Sequence, residues 1–308
     1  MENKRDQIIV YGGTGYYGRE VVRGLVRKGV SVKVVSRESA KAQAILGNDV
    51  EIMQGDVTDN QTIVDSLRNV TAIIICLSAM SNKLIRKMKQ IERDAVLAIM
   101  EEAKNQNISR LIYMSGYEMR AQLLNELNIP EFGEIKIEIE STITNSDFNW
   151  TILGDAPAFE IFFAFIRNGK MVVPRGGLNA IPCISAEDVG EITAQTALRD
   201  DLNGHRLKLT GPEAFTFPEA AKRISSISGK NIKHAAIPLI IVNILSFLLI
   251  PFTPFLRFLY KSLKMLNNFP PDLAESVPDE HEKLRELFDY TPVSLEDEAT
   301  RRLERKLL

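Results

Sequence analysis

Three glycines, Gly12, Gly15 and Gly18, stand at every third position of the stretch Val10-Tyr11-Gly12-Gly13-Thr14-Gly15-Tyr16-Tyr17-Gly18. The chemistry this spacing serves is the holding of a pyrophosphate. Residues without a Cβ let the backbone turn sharply and come close to an anion, whose oxygens then meet N–H groups at the start of a helix. The spacing has that meaning only between a strand and a helix. Both flanks are present: the apolar run Gln7 to Tyr11 precedes it, and Val21, Val22, Leu25 and Val26 follow at helical spacing. The candidate cradle is therefore Gly12, Gly13, Thr14, Gly15, Tyr16, Tyr17 and Gly18, with a purely structural turn as the alternative.

A dinucleotide offers a second recognition point at its adenosine ribose. The strand Ser31 to Ser36 runs out through Ser36 and Arg37, where a carboxylate would suit free ribose hydroxyls and a planar guanidinium a 2′-phosphate. Ser36 and Arg37 favour NADP(H), the neighbouring Glu38 keeps NAD(H) open, and a solvated arginine is the plain alternative. Asp56 and Val57 follow the third strand; the carboxylate could accept from the adenine amino group or cap the next helix. Leu77, Ser78 and Ala79 follow the fourth strand, beside the middle of the cofactor, because ligands of open α/β sheets bind beyond the carboxyl ends of the strands.

These residues need a scaffold that brings strand ends together. After Ser36 the pattern predicts a helix over Ala40 to Leu46, a strand over Glu51 to Gln54, a helix over Asn60 to Leu67 and a strand over Ala72 to Cys76. One long helix over Ile85 to Asn105 follows, then a strand over Arg110 to Met114, a helix over Ile135 to Ser146 and a strand over Trp150 to Leu153. Strands alternating with helices pair in parallel through right-handed crossovers, giving an α/β doubly wound sheet. Beyond Gly154 the elements shorten around Gly169, Pro174, Gly176, Gly177 and Pro182 before a helix from Asp188 to Leu198. The expected organisation is a nucleotide-binding domain over residues 1–153 and a smaller, interleaved C-terminal α/β substrate lobe over 154–308. That lobe contains an apolar helical segment, 235–266, and a charged, helical tail from Asp272.

Composition narrows the function. Among 308 residues, 38 Lys and Arg stand against 40 Asp and Glu, a net charge of −2 that supplies no basic field for nucleic acid. Two cysteines, Cys76 and Cys183, and three histidines give no metal-ligand spacing. With no signal-peptide pattern in Met1 to Gln7, a cytoplasmic protein is expected.

Taken together, the glycine stretch, Gly55-Asp56-Val57, Tyr113-Met114-Ser115-Gly116, Trp150-Thr151-Ile152-Leu153 and Ile184-Ser185-Ala186-Glu187-Asp188-Val189 resemble the short-chain dehydrogenase/reductase superfamily, in particular its atypical NmrA-like branch, from Ile8 to Pro238. The resemblance implies a Rossmann-type fold and hydride transfer, with a serine at the fifth strand and a Tyr-x-x-x-Lys pair polarising a carbonyl and relaying a proton. Ser115 and Lys136 match; the tyrosine position holds Phe132. A missing acid typically costs about 10²–10⁴ in rate, so Tyr117 or Lys136 itself would have to serve, the latter as the resemblance to benzylic ether reductases implies, or no redox chemistry occurs. Lys136 could also only bind the nicotinamide ribose, Tyr117 only pack, and Ser115 only satisfy local backbone.

Gly154-Asp155 stands where relatives commonly carry Arg-Pro, which would reverse the local charge and disfavour an anionic substrate. Asp155 could line the pocket or cap the segment Phe159 to Ile166. Phe159, with Phe162, Phe163 and Phe165, could form an apolar substrate slot or core.

Ala235 to Leu256 carries no charge, and Pro251 and Pro254 interrupt it. The fourteen residues from Ile237 to Ile250 would reach about 21 Å as a helix, short of the ~30 Å bilayer core. Behind it, Phe255, Leu256, Phe258, Leu259, Leu263 and Leu266 share a helical stretch with Arg257, Lys261 and Lys264, whose spacing puts the three cations on one face of a basic amphipathic helix. Such a pair could cover a pocket, lie in a membrane surface or face a protein partner. The leading expectation is an NADP(H)-binding atypical reductase of a small, largely apolar carbonyl or related unsaturated substrate, in the cytoplasm or peripheral to a membrane. The alternative is an NAD(P)H-sensing regulator or assembly factor, as the resemblance allows, with little or no catalytic activity.

Overall fold

The computed structural model describes residues 7–127, 131–249 and 252–305; of Glu126, Leu127, Glu131 and Phe132 only the backbone is described. The Phe132 side chain, Ile250 and Pro251 thus lie outside the described residues. The chain divides into two compact units, each discontinuous in sequence: residues 1–119, 131–154 and 189–207, and residues 120–130, 155–188 and 208–308.

In the first unit, β1 (Gln7–Tyr11), β2 (Ser31–Ser36), β3 (Val50–Gln54), β4 (Ala72–Ile75), β5 (Arg110–Gly116) and β6 (Asn149–Asp155) build the sheet with helices between them. These helices are α1 (Gly18–Arg27), α2 (Ser39–Leu46), α3 (Asn60–Ser66), α4 (Ala95–Asn105) and, ahead of β6, α6 (Glu131–Thr144); α5 (Ala121–Leu127) belongs to the second unit. Strand pairs β1–β2, β1–β4, β2–β3 and β4–β5 are parallel. Ile8, Ile9, Val10, Val34, Ile73, Ile74, Leu111 and Ile112 are buried, as unbroken apolar runs in a parallel sheet covered on both faces must be. This is the expected Rossmann-type doubly wound α/β fold.

The predicted single helix over Ile85 to Asn105 is not continuous. Ile85–Lys87 is a 3₁₀ turn and Gln90–Asp94 a π turn, and only then does α4 begin. The widened turn is where Glu92, 1% exposed, enters the interior; π turns of this kind gather at functional sites.

The second unit contains α7 (Glu160–Ala164), β7 (Ile166–Arg167), β8 (Lys170–Pro174) and β9 (Ile181–Pro182). After α8 (Ala186–Ala197), most of which lies in the first unit, and β10 (His205–Leu209), it continues with β11 (Ala214–Phe215), α9 (Phe217–Ser228) and β12 (Lys233–Ile237). The helices α10 (Leu239–Leu248), α11 (Phe255–Asn267), α12 (Pro271–Glu275), α13 (Val277–Leu287) and α14 (Leu295–Glu304) complete it. β8 pairs in parallel with β12 and antiparallel with β7, and β9 pairs with β11. Local sequence sets the helix ends: Thr216 accepts from Glu219 N–H at the start of α9, and Ser294 and Asp297 form a reciprocal capping box on α14. Among the described residues no helix is long and apolar enough to cross a membrane.

With β10 included, the main sheet has seven strands in the order β10-β6-β5-β4-β1-β2-β3. The chain builds outward from β1 to β3, then returns to place β4 on the other side of β1. The crevice beyond the carboxyl ends of β1 and β4 is thus the switch point at which such sheets bind ligands.

Candidate functional site

The turn from Gly12 to Tyr17 leaves β1 at that switch point. Gly15 N–H donates to the Gly12 carbonyl at 2.8 Å, and Gly12 has φ +81°. A Cβ on Gly12 would collide with the Cys76 carbonyl beyond β4, and one on Gly18 with the Gly12 carbonyl. The glycine pattern therefore records close backbone approach at both ends of the turn. Tyr17 holds the N-cap position of α1 without a side-chain capping bond, so no side chain competes there with an anion for the amides. Tyr16 and Tyr17 meet edge to face at 5.5 Å, and the Arg19 guanidinium lies 5.1 Å from the Tyr16 ring centroid.

On the adenosine side, Gly55 N–H donates to the Ser36 carbonyl at 3.0 Å, tying the end of β3 to β2, and the Ser36 hydroxyl accepts from Glu38 N–H at 3.2 Å. Arg37 is exposed and Val57 half-buried. Asp56 accepts from both the N–H and the hydroxyl of Thr58, at 3.0 and 2.9 Å. Burial pulls its pKa up, but the Thr58 hydrogen bonds, with Arg37 and Lys87 nearby, leave it below the ordinary carboxylate value. The helix-cap alternative for Asp56 is overturned: Asp59 caps α3, accepting from Gln61 and Thr62 N–H. The Arg37 charge is one of the influences that hold Asp56 ionised.

Beyond β4, Leu77 and Ala79 are buried and Ser78 is exposed. Ala79 N–H donates to Glu92 Oε1 at 2.6 Å, while Glu92 Oε2 stands 3.9 Å from the Lys136 ammonium. Lys136, 8% exposed, donates to the Met114 carbonyl at 3.0 Å and lies 4.7 Å from the Tyr113 ring centroid. Burial raises the Tyr113 pKa, and the Lys136 charge works against that rise. Ser115, the next residue of β5, is 3% exposed and its hydroxyl has no hydrogen-bond partner. Four elements thus converge: the β4 loop, the π turn, β5 and α6. Glu92 was missed by sequence reading, because Asp94 stands two residues on and nothing local sets the two carboxylates apart.

Tyr117 is buried just beyond β5, and its carbonyl accepts from Arg206 at 3.3 Å. Arg206, on β10, also donates to the Gly116 carbonyl at 2.8 Å and makes two bonds to Glu140, at 2.9 and 3.1 Å. A Cβ on Gly154 would lie 2.9 Å from this guanidinium. Arg206, paired with Glu140, thus packs directly against Gly154. Arg206 and Glu140 were not legible in the sequence.

Asp155 and Phe159 belong to the second unit. Asp155 ends β6 and is half-buried. It does not cap α7, whose N-cap position is Phe159. Phe159 is 2% exposed and packs edge-on against Phe215 at 6.0 Å, while Phe162 joins Phe215 to Phe217. The aromatic cluster is packed core in this unit.

The unpartnered buried Ser115 hydroxyl on β5 and a glycine turn that a Cβ would fill are features that fit a nicotinamide dinucleotide at the switch point. Similarity searches agree on the fold. A photosystem II assembly factor, Ycf39, of Trieres chinensis is 24% identical over 78% of this chain and 74% of its own length. An NAD(P)H azoreductase of Xenophilus azovorans is 22% identical over 75% and 77%. The crystal structure of a Citrobacter sp. triphenylmethane reductase complexed with NADP(H) superposes with a TM-score of 0.74 at 18% identity, covering 98% of this chain and 100% of that one. The profile of the NmrA-like family runs from residue 4 to residue 295, through the turn, the switch point and segments of both units, and by that match the chain belongs to the NmrA-like family.

Proposed function

We propose that the protein binds NADP(H) across the β1–β4 switch point and reduces a small, largely apolar carbonyl or related unsaturated compound. The observation that carries this reading is the glycine turn closed against β4, with the buried Ser115 hydroxyl further along the same row of strand ends. Gly12, Gly13, Thr14, Gly15, Tyr16, Tyr17 and Gly18 would hold the pyrophosphate, and Ser36 with Arg37 the ribose phosphate. Asp56 and Val57 would flank the adenine, and Leu77, Ser78 and Ala79 the middle of the cofactor. NADPH, when bound, supplies the hydride.

The chain's own part is to orient the substrate oxygen and hold a proton for it. Ser115 is the donor already in place at the strand end. Lys136, buried with Glu92 Oε2 3.9 Å from its ammonium, would hold the nicotinamide ribose and supply the proton, taking over from the tyrosine that Phe132 replaces. Tyr117 is the second candidate donor. The names of the azoreductase and of the triphenylmethane reductase support nicotinamide-linked reduction of a small molecule.

The test is NADPH oxidation against a panel of quinones, enones and azo dyes. Lys136→Met is expected to lower kcat by about 10²–10⁴ and to weaken NADPH binding far less. Inactivity of the wild-type protein across the panel, with NADPH bound, would leave the second reading, a nucleotide-responsive regulator or assembly factor. That reading is supported by the exposed apolar surface of α10 and by the assembly role in the name of the Trieres chinensis relative.

A further inference from the structure

Helix α10 is built with its polarity reversed. Its buried position is Ser246, whose hydroxyl donates to the Asn243 carbonyl at 2.8 Å, and the Asn243 side chain accepts from Arg257 of α11 at 2.7 Å. Its apolar residues face outward. Ile240, Ile241, Ile244, Leu245, Phe247 and Leu248 are all exposed, Phe247 at 70%, and Phe252 beyond the helix is 81% exposed. At 3.6 residues per turn the six helical positions sweep an arc of about 160°. A partner groove reads a narrow stripe of anchors spaced three or four residues apart, whereas a broad convex apolar surface suits a fluid medium that needs no shape match.

Charge identifies that medium. Residues 224–271 contain Lys230, Lys233, Arg257, Lys261 and Lys264 and not one Asp or Glu. On α11, Arg257, Lys261 and Lys264 fall on one side of the helix within an arc of about 60°, while Leu263 and Leu266 are buried on another. Like charge opposes pairing of this surface with a second copy of itself. An anionic lipid surface satisfies both features, burying the aliphatic residues below the headgroups and neutralising the cations at them. Ten residues of α10 reach only about 15 Å, half of a bilayer core, so the helix enters one leaflet and does not cross.

We propose that the α10–α11 hairpin is a monotopic anchor that docks the protein on an anionic membrane surface. This goes beyond the reductase reading and does not depend on it. The test is co-sedimentation of the full-length protein with vesicles of phosphatidylcholine alone or mixed with phosphatidylglycerol, at low and high salt. Binding is expected to the mixed vesicles, weaker at high salt. Lys261→Gln with Lys264→Gln is expected to lower affinity about thirty-fold. Ile244→Asn with Phe247→Asn is expected to abolish binding while leaving the unfolding temperature and NADPH affinity of the wild type, since both residues are exposed. Failure to sediment with either vesicle overturns the proposal. So does binding that these variants leave unchanged, or a dimer in ultracentrifugation that dissociates on Ile244→Asn with Phe247→Asn while vesicle binding is absent.

Discussion

Substituting Arg37 separates the two nicotinamide nucleotides. A charge-assisted bond to a 2′-phosphate is worth about 1.5–3 kcal/mol, so Arg37→Ala should weaken NADPH about 10- to 100-fold and leave NADH unchanged, as read by calorimetric titration. An equal loss for both would mean that Arg37 supports the fold of the strand end and does not read the phosphate. Glu92 is tested through stability. Glu92→Ala leaves the buried Lys136 ammonium and the Ala79 N–H without their carboxylate, a loss of about 3 kcal/mol in chemical denaturation. Adding Lys136→Met should recover a large part of it, because the uncompensated charge is gone. If the two losses simply add, the groups are not coupled.

The elements hold these side chains through backbone approach and through packing between distant segments. Gly154→Ala would press a methyl to 2.7 Å from the Gly116 carbonyl and 2.9 Å from Arg206, costing about 1–3 kcal/mol and loosening the Ser115–Tyr117 strand end. Thermal unfolding measures the cost, and unchanged stability would show that β10 yields. Asp188 makes a second, pH-dependent test. Both its oxygens accept from Val293 N–H, at 3.3 and 3.0 Å, within the second unit. Burial outweighs that hydrogen bond and pushes its pKa up to about 7. A folded-state value above the unfolded one means the contribution is full below about pH 4 and is lost as pH rises toward 7. Asp188→Asn, which keeps an acceptor for Val293, should flatten that part of the stability profile relative to wild type; parallel profiles would refute the assignment.

What was legible follows from range. The glycine turn and the strands are written in neighbouring residues. Glu92 meets Lys136 across 44 positions and Arg206 meets Glu140 across 66, and no local pattern records either contact. Asp56 was ambiguous for a local reason, since Asp59, three residues on, competes for the same cap and takes it.

At the scale of the molecule, two things stand side by side: a nucleotide cradle at the sheet's switch point, and an outward-facing apolar hairpin in the second unit. Their functions are separable, and only the first is needed for the NmrA-like reading of the site. That reading rests on one event, nucleotide binding at the β1–α1 turn. The most direct measurement is calorimetric titration of the wild-type protein and of Gly18→Ala with NADPH. The site as described predicts saturable one-to-one binding by the wild type and its loss in the variant, whose added methyl meets the Gly12 carbonyl. Circular dichroism would show the sheet intact in both. No heat from a folded wild-type protein with NADPH, NADP⁺, NADH or NAD⁺ would contradict the account.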